Sequence, residues 1–356
     1  MKKLSISKST RTNFLTYALV IIAFVALQIM GNQGMLSSTL KGQLVPICAY
    51  VVMALSLNLT VGILGELSLG HAGFMSVGAF AGAVANVALL ETIPAAGLRL
   101  AVAMVIAAVF AAIAGVLIGV PVLRLNGDYL AIVTLAFGEI IKSLINNLYI
   151  GMDGSGLHAC FVQNTMKLEQ GGRMILNGPM GVPGIQKTST FVAGFVLVMI
   201  TLIVIFNLVG SRSGRAIMAL RDNRIAAESV GINVTKYKMM AFVTSAAMAG
   251  AAGALFAQGQ NTIIPSKFDF NTSILILVFV VLGGLGRMWG SIIAAAALTV
   301  LPEMLREFAD YRMLVYAIVL ILVMLITNNP TIKDFFESLF ERIKHGKNGE
   351  EGEDEE

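Results

Sequence analysis

The sequence has few charged residues. Asp, Glu, Lys and Arg make up 13% of its 356 residues, whereas a soluble domain has about 25%. Hydrophobic residues make up 56% of the chain, and the mean hydropathy is +0.81. A soluble core cannot absorb so many apolar runs, so this composition indicates a polytopic membrane protein. The net charge of +4 is small and the basic residues are not clustered, so no nucleic-acid partner is expected.

Cysteine and histidine are also scarce, with two and three residues respectively. Cys48 lies in an apolar run and Cys160 in a polar loop, so we expect two free thiols rather than a disulfide. The sequence has no H-E-x-x-H motif and no Cys–His pair at a useful spacing. We therefore predict no metal site, no cofactor and no catalytic residues.

Motifs of several other functional classes are absent. Without a G-x-x-x-x-G-K-[S/T] motif, the chain is not expected to hydrolyse ATP through a P-loop. It also has no arginine ladder of a voltage sensor and no T-V-G-Y-G selectivity filter. The sequence itself therefore predicts a protein that is not an enzyme.

The sequence contains long apolar runs instead of these motifs. A helix needs about 20 mostly apolar residues to cross a bilayer. The runs that qualify are 14–31, 44–62, 67–90, 98–123, 129–150, 190–209, 239–260, 272–286, 288–305 and 311–329. The weakest boundary is "GGLGRMWG" (283–290), where one bent or re-entrant element is the alternative. We predict an all-α fold, a polytopic transmembrane helical bundle of about 8–10 spans with discontinuous or re-entrant helices.

The distribution of basic residues predicts the orientation. With the N-terminus inside and alternating spans, most of the 25 Lys and Arg residues lie on the inner side. Both termini are therefore predicted to be cytoplasmic, and the first run is interpreted as an uncleaved span. The predicted parts are a cytoplasmic segment 1–13, a transmembrane domain 14–329 with an outer loop 151–189 and an inner loop 210–238, and an acidic, disordered tail 330–356.

The apolar pattern is interrupted at "GELSLGHAGFMSVGAFAG" (65–82). Its glycines weaken helix continuity, and broken helices survive in a membrane only when they are buried or line a cavity. Glu66, Ser68 and His71 are therefore candidates for a translocation pathway. The alternatives are that the glycines serve helix packing, that Glu66 caps a helix at the cytoplasmic interface, and that His71 is a hydrogen-bonded packing residue.

A second polar face lies in "RLNGDYLAIVTLAFGEIIKSLINNLY" (124–149). Asp128 is placed to cap a helix and is interpreted as structural. Glu139, Lys142 and Asn146 fall on one face of that helix, so Glu139 and Asn146 are further pathway candidates. The alternative is a local Glu139–Lys142 pair near the outer interface, with Lys142 reaching to water.

The longest inner segment is "SRSGRAIMALRDNRIAAESVGINVTKYK" (211–238). We predict a short helix from Arg215 to Ser229, with Ser213 as its cap and Gly231 as its end. Arg224 interrupts the apolar stripe, so the helix should not lie in the membrane as an amphipathic anchor. Its small and charged residues suit docking to a protein partner, and the alternative is a solvated basic loop.

These stretches together resemble a known family, the permease subunits of branched-chain amino acid ABC importers, of the Liv M type. The resemblance covers roughly residues 45–327. It rests on "GELSLGHAGFMSVGAFAGA" (65–83), "RLNGDYLAIVTLAFGEI" (124–140), "NGPMGVPGI" (177–185), the 211–238 segment and "VFVVLGGLGRMWGSIIAAA" (278–296).

The resemblance implies a subunit of a bacterial inner-membrane importer. A second permease subunit would complete the pathway as a heterodimer, and two cytoplasmic ATPase subunits would dock on the 210–238 coupling loop. A periplasmic or lipid-anchored substrate-binding protein would deliver the amino acid at the periplasmic loop 151–189. The residues matching the coupling motif are Arg221, Asp222, Ala226, Ala227, Glu228 and Gly231.

Other functions stay open on the sequence. The same type of permease could carry urea, short amides or other amino acids, and the specificity of the binding protein would separate these cargoes. A passive channel would transport without ATP. An intramembrane enzyme would need a nucleophile paired with a base, and the polar residues found here are not arranged in that way.

Overall fold

The computed structural model describes residues 8–35, 37–90, 92–125, 127–154, 156–161, 172–305, 314, 317–318 and 320–321. The chain divides into two compact units, Met1–Val300 and Leu301–Glu356. Most residues of the second unit fall outside the described ranges. The contacts that position the candidate site all lie in the first unit.

Helices make up most of the described chain. They are α1 (Lys8–Asn32), α2 (Ser38–Asn58) with a π-helical turn (Leu59–Leu64), α3 (His71–Ala88), α4 (Ala96–Val122), α5 (Asp128–Asn146), α6 (Phe191–Gly210), α7 (Arg212–Asp222), α8 (Arg224–Ser229), α9 (Val234–Ala257), α10 (Phe270–Gly283) and α11 (Met288–Met304). The strands are β1 (Tyr149–Asp153), β2 (Gly156–Cys160) and β3 (Arg173–Asn177), and short 3₁₀ turns cover Gly178–Met180 and Pro265–Lys267.

Eight helices of the described residues are long and apolar enough to cross a membrane, and α11 is a shorter apolar helix. This confirms the predicted fold class, a polytopic helical bundle. The last predicted span, 311–329, lies largely outside the described residues, as do residues 1–7 and the predicted tail 330–356. The cytoplasmic placement of both termini stays a prediction.

The α10–α11 boundary is a true turn between two helices. Gly284 and Gly286 have φ of +91° and +78°, a region that residues with a Cβ rarely enter. These two left-handed residues end α10 and let α11 begin at Met288. The number of spans here, two helices that cross or one bent or re-entrant element, stays a prediction.

The 151–189 segment contains a small antiparallel sheet in the order β2-β1-β3. In it, Tyr149 pairs with Cys160 on one side and with Asn177 on the other. The sequence analysis predicted only an outer loop here, because strands of five residues are too short to give a clear alternation. Ile175 and Leu176 of β3 are buried, which anchors the sheet to the bundle.

The inner segment 211–238 forms two helices rather than the single helix predicted from Arg215 to Ser229. Asn223 is extended (φ −157°, ψ 103°) and its side chain caps α8 by accepting from Ala226 N–H. Ser211, not Ser213, caps α7 by accepting from Gly214 N–H at 3.1 Å. Gly231 ends α8 as predicted, at φ +83°.

Helix α9 is the centre of the bundle, in contact with α2, α3, α4 and α6. Close approach is possible because glycines face each other, as is common where membrane helices cross. A Cβ at Gly78 of α3 would collide with the Gly250 backbone, and one at Gly82 would lie 2.6 Å from Ala254 Cβ. This packing fixes α3, and with it the break that precedes α3, against α9.

We expect Gly250→Ala to lower the unfolding temperature even though alanine is the better helix former. At an open helical position alanine gains about 1 kcal/mol over glycine. At Gly250, however, the added methyl would lie 2.7 Å from the Ala107 carbonyl oxygen, and overpacking costs about 1–3 kcal/mol. Thermal unfolding of the detergent-solubilised protein measures the effect.

Gly97→Ala in the first turn of α4 is the matched control, because a Cβ there would meet nothing within 4 Å. It should leave the unfolding temperature unchanged or raise it. The same result for Gly250→Ala would contradict the close α4–α9 contact.

Candidate functional site

The interruption predicted at 65–82 is present but shorter, because it begins at the end of α2 and ends at Gly70. From His71 to Ala88 the chain is one continuous helix, so Gly73, Gly78 and Gly82 do not break it. Helix α2 passes through the π turn to Gly65, which has φ +81°. Glu66 N–H then donates to the Thr60 carbonyl at 3.1 Å, and the chain is not helical again until His71. We call residues 58–66 the junction segment, because three other elements bind to it.

Asn58 joins the junction segment to the α10–α11 turn. Its side chain is fully buried. Its Nδ2 donates to the Ser291 hydroxyl at 2.8 Å and to the Arg287 carbonyl at 3.2 Å, and its Oδ1 accepts from Gly286 N–H at 2.8 Å. The sequence analysis missed this residue, although an asparagine inside an apolar run is the kind of signal that marks such a contact.

Arg221, at the end of α7, joins the junction segment to the inner helices. Its Nη1 donates to the Gly62 carbonyl at 3.2 Å, and its Nη2 lies 2.9 Å from Asp222 Oδ1. The stem of the side chain covers Gly65, where a Cβ would lie 2.6 Å from Arg221 Cγ. A π-helical turn leaves carbonyls such as that of Gly62 to be satisfied from outside.

Glu66 forms an ion pair with Lys238 of α9. The Lys238 side chain is 4% exposed and that of Glu66 14%, so the pair is largely removed from water. The sequence analysis did not single out Lys238 as a site residue. Glu66 thus lies at the end of the bundle that carries α7 and α8, bound to the helix that follows them.

His71 belongs to a buried network in the middle of the bundle. Its Nε2 lies 2.7 Å from the Ser56 hydroxyl. That hydroxyl also donates to the Met53 carbonyl at 2.9 Å. The Ser56 carbonyl accepts from the Ser245 hydroxyl at 2.5 Å. The network links α2, α3 and α9 and matches the packing interpretation of His71.

Ser68 lies between these two groups, within the non-helical stretch. Its hydroxyl is buried, as are those of Thr60 and Ser76, and none of the three has a hydrogen-bond partner in the described part of the chain. An unsatisfied buried hydroxyl is destabilising by roughly 1–3 kcal/mol. The break therefore carries polar groups that the bundle alone does not satisfy.

The remaining pathway candidates lie on α5 and do not join this group. Glu139 pairs locally with Lys142 at 2.7 Å, and both side chains are partly exposed. Asn146 ends α5, next to Gly178. The helix reaches α3 through glycines instead, since a Cβ at Gly73 would lie 3.0 Å from Gly138 Cα. The predicted pathway residues thus occupy separate places in the bundle.

A cavity of about 580 Å³ lies at the other end of α2, and the sequence analysis did not predict it. Its walls come from the first half of α2, the 258–268 connection and the start of α10. Its lining is Ser38, Thr39, Gly42, Gln43, Pro46, Tyr50, Met75, Lys187, Phe256, Gly259, Gln260, Lys267, Phe268 and Thr272. Tyr50 at its base precedes Ser56 by about 9 Å of helix. Along α2, the cavity, the His71 network and the junction segment follow in succession.

The candidate coupling residues lie at the ends of α7 and α8 and differ in exposure. Arg221, Asp222, Ala226, Glu228 and Gly231 are exposed, whereas Ala227 is buried against Leu220 and Val234. Two apolar side chains of this region, Ile225 and Val230, are 80% and 76% exposed. Exposed apolar residues beside charged ones are typical of a docking surface.

The described residues hold no group of three or more His, Cys, Asp or Glu side chains that could bind a metal ion. Cys48 is buried and Cys160 partly buried, and no disulfide joins the two.

Comparison with known proteins agrees with this description. Residues 40–324 match the family described as branched-chain amino acid transport system / permease component. The chain is similar to the high-affinity branched-chain amino acid transport system permease protein LivM of Salmonella typhimurium, with 38% identity in an alignment over 290 residues that covers 78% of this chain. The LivM protein of Escherichia coli K12 is also 38% identical, over 286 residues.

The chain spans 66% of the length of each of these two LivM proteins. It is also similar to the nucleoside ABC transporter permease protein NupC of Lactococcus lactis, with 25% identity over 220 residues that cover 58% of this chain and 62% of NupC. The similarity thus extends to a permease named for a different cargo.

We expect Lys238→Met to destabilise the protein and Glu66→Gln to relieve part of that loss. Removing one partner of a buried ion pair leaves the other charge unpaired, which costs about 3–5 kcal/mol. The double variant has no charge to leave unpaired, so it should unfold at a higher temperature than Lys238→Met alone. The measurement is thermal unfolding of the single and double variants.

Lys236→Met serves as the control, because Lys236 is exposed on the same helix two residues earlier. It should have little effect. Additive losses in the double variant would contradict a direct Glu66–Lys238 interaction.

Proposed function

The chain belongs to the family of branched-chain amino acid transport system permease components, and on that basis we propose that it is the transmembrane subunit of an ATP-driven importer. Its cargo is leucine, isoleucine and valine, and its location is the bacterial inner membrane. The chain itself does not hydrolyse ATP. This function accounts for a bundle of membrane-spanning helices with a helix interrupted at the end that carries α7 and α8.

The observation that carries the proposal is the 38% identity to LivM over 78% of this chain. The family match, residues 40–324, includes the junction segment, α7 and α8. The cavity supports the same function, because a transported molecule needs space within the bundle.

The proposed partners follow from the two ends of the bundle. Two cytoplasmic ATPase subunits drive transport, and one docks on α7 and α8, where Ile225 and Val230 are exposed. A second permease chain completes the pathway as a heterodimer. A substrate-binding protein, periplasmic or lipid-anchored, delivers the amino acid at the end of the bundle that carries the β-sheet.

Coupling uses the junction segment. Closure of the ATPase pair on ATP moves α7 and α8, and Arg221 transmits the motion to the Gly62 carbonyl to which it is bonded. Asn58 passes it on to the α10–α11 turn, and Glu66 passes it to α9 through Lys238. Rigid helices joined at one segment shift together, as inward-open and outward-open states require.

The pathway runs beside α2. The half of the pathway nearer to α7 and α8 is lined by the polar groups of the break, which are Glu66, Ser68 and His71. Some backbone groups of an interrupted helix are hydrogen-bonded to side chains rather than within the helix. Changing those hydrogen bonds therefore requires less free energy than opening a continuous helix. Glu139 and Asn146 on α5 stand apart from this line and remain pathway candidates by their place on one face of the helix.

A different cargo is the second candidate. The similarity to a nucleoside permease over 58% of this chain favours the view that one bundle serves several substrates. Under this alternative the binding protein selects the cargo and the bundle supplies the route. The coupling described above would be unchanged.

The test is purification of the tagged chain from detergent-solubilised membranes, followed by reconstitution into proteoliposomes. We expect a second permease and an ATPase to co-purify. ATP hydrolysis should be stimulated by a binding protein loaded with leucine, and leucine should accumulate inside. A chain that purifies alone, with no ATPase bound, would reject the importer. Stimulation only by a binding protein loaded with another cargo would favour the second candidate.

Arg221→Gln should uncouple ATP hydrolysis from uptake. The variant loses the strong donor to the Gly62 carbonyl and the contact over Gly65, while the exposed surface of α8 remains. We expect co-purification of the ATPase to persist and uptake per ATP hydrolysed to fall about tenfold or more, the effect of losing a charged hydrogen bond. Uptake and hydrolysis are measured on the same proteoliposomes.

The matched control is Arg212→Gln, an exposed arginine at the start of the same helix. It should leave the ratio of uptake to hydrolysis unchanged. An unchanged ratio in Arg221→Gln as well would remove Arg221 from the coupling path.

A further inference from the structure

The 580 Å³ cavity opens at the end of the bundle opposite α7 and α8. Helices α6 and α9 fix this placement, because each joins the 211–233 region at one end and the cavity region at its other end. Lys187 precedes α6, and the 258–268 connection follows α9. The volume lies within the range of about 300–1,000 Å³ that is usual for small-molecule sites.

The charged side chains among the described lining residues are all cations. Lys187 and Lys267 are these cations, and no Asp or Glu is among the described lining residues. Neither ammonium forms an ion pair with any residue that the structure describes. The nearby Asp269 accepts from Thr272 N–H and Asn271 Nδ2, both at 3.0 Å. Its carboxylate also acts on Tyr50 of the lining, so two cations face one nearby anion and the net charge is positive. A concave site with a net charge of one sign attracts the opposite charge.

The base of the cavity is apolar and aromatic. The Tyr50 and Phe256 rings are 5.8 Å apart, and the Phe256 and Phe268 rings 6.3 Å apart, all edge to face. Met75 completes this floor. Gln43 and Gln260 supply neutral carboxamide oxygens on the walls, which can accept hydrogen bonds from an ammonium group.

We propose that this cavity is a transit site for a free α-amino acid with an aliphatic side chain. Lys187 and Lys267 bind its carboxylate, the carboxamides of Gln43 and Gln260 accept from its ammonium group, and the aromatic floor receives its side chain. The inference rests on the proposed importer function and adds to it the residues that take the cargo.

The exposure of both lysines fits such a transit site. Exposed ion pairs are weak, so the carboxylate is attracted without being held tightly. A site that a molecule must leave has to bind it weakly. The network of His71 and Ser56 closes the bundle below the floor, so the cavity receives cargo on the side away from the ATPases.

The test compares wild type with Lys187→Gln/Lys267→Gln in the complete reconstituted importer. Leucine uptake is measured while the concentration of leucine-loaded binding protein is varied. We expect the maximal uptake rate to fall about tenfold, since two exposed ion pairs are lost. The concentration of binding protein that gives half the maximal rate should stay the same.

Two variants make the comparison specific. Lys187→Arg/Lys267→Arg keeps both charges and should retain most of the maximal rate. Lys41→Gln removes an exposed lysine of α2 at the same end of the bundle that does not line the cavity. It should have no effect. Co-purification of the other subunits shows that each variant assembles.

Three results would overturn the inference. An unchanged maximal rate in the double Gln variant would mean that the lysines do not receive cargo. A raised half-saturating concentration with an unchanged maximal rate would mean that they dock the binding protein instead. A wild-type complex that imports no aliphatic amino acid would reject the importer function, and the transit site with it, whatever the lysine variants do.

Discussion

The constraint on which this structure depends is that a backbone group inside a membrane must find its hydrogen-bond partner within the protein. The chain breaks a helix after Leu64 and so frees several such groups at once. Arg221 donates to the Gly62 carbonyl of the break, and Asn58 beside the break accepts from Gly286 N–H, a backbone group of the α10–α11 turn. Each of these bonds also joins the break to a different element. The partners that make an interrupted helix tolerable are therefore the same residues that connect it to α7 and to the α10–α11 turn.

Helix α2 contributes residues to the cavity, to the His71 network and to the junction segment. The first half of α2 forms a wall of the cavity, Ser56 binds His71 near its middle, and Asn58 begins the junction segment. Helix α9 runs beside it and contributes Phe256, Ser245 and Lys238 to the same three levels. A shift of α9 relative to α2 would alter all three levels together, because packed helices move as rigid elements. The glycine contacts between α3, α4 and α9 limit such a shift to small displacements.

The site residues predicted from sequence differ in how well their sequence signal described their contacts, and each difference has a physical reason. Glu66 was found by its charge, but its position at the α7 end depends on Lys238, which lies far from it in the chain. His71 was found as a lone histidine among glycines, and only its bond to Ser56 shows that it joins two helices. Glu139 was selected because helical spacing put it on one face with Asn146, yet spacing cannot tell a face that lines a pathway from one with a local Lys142 pair. Asn58 and the cavity lysines passed unnoticed, because single polar residues near helix ends are common in any membrane protein.

The sequence by itself determined the class of protein, the approximate helices and the family. Hydrophobic run length and glycine motifs are local features, and a helix forms its backbone bonds within its own segment. The tertiary structure alone decided which polar residues meet. It split the inner segment at Asn223, paired Glu66 with Lys238, and brought Lys187 and Lys267 to one cavity. Those contacts join residues distant in sequence, and which of them form depends on how the helices pack, which no local pattern records.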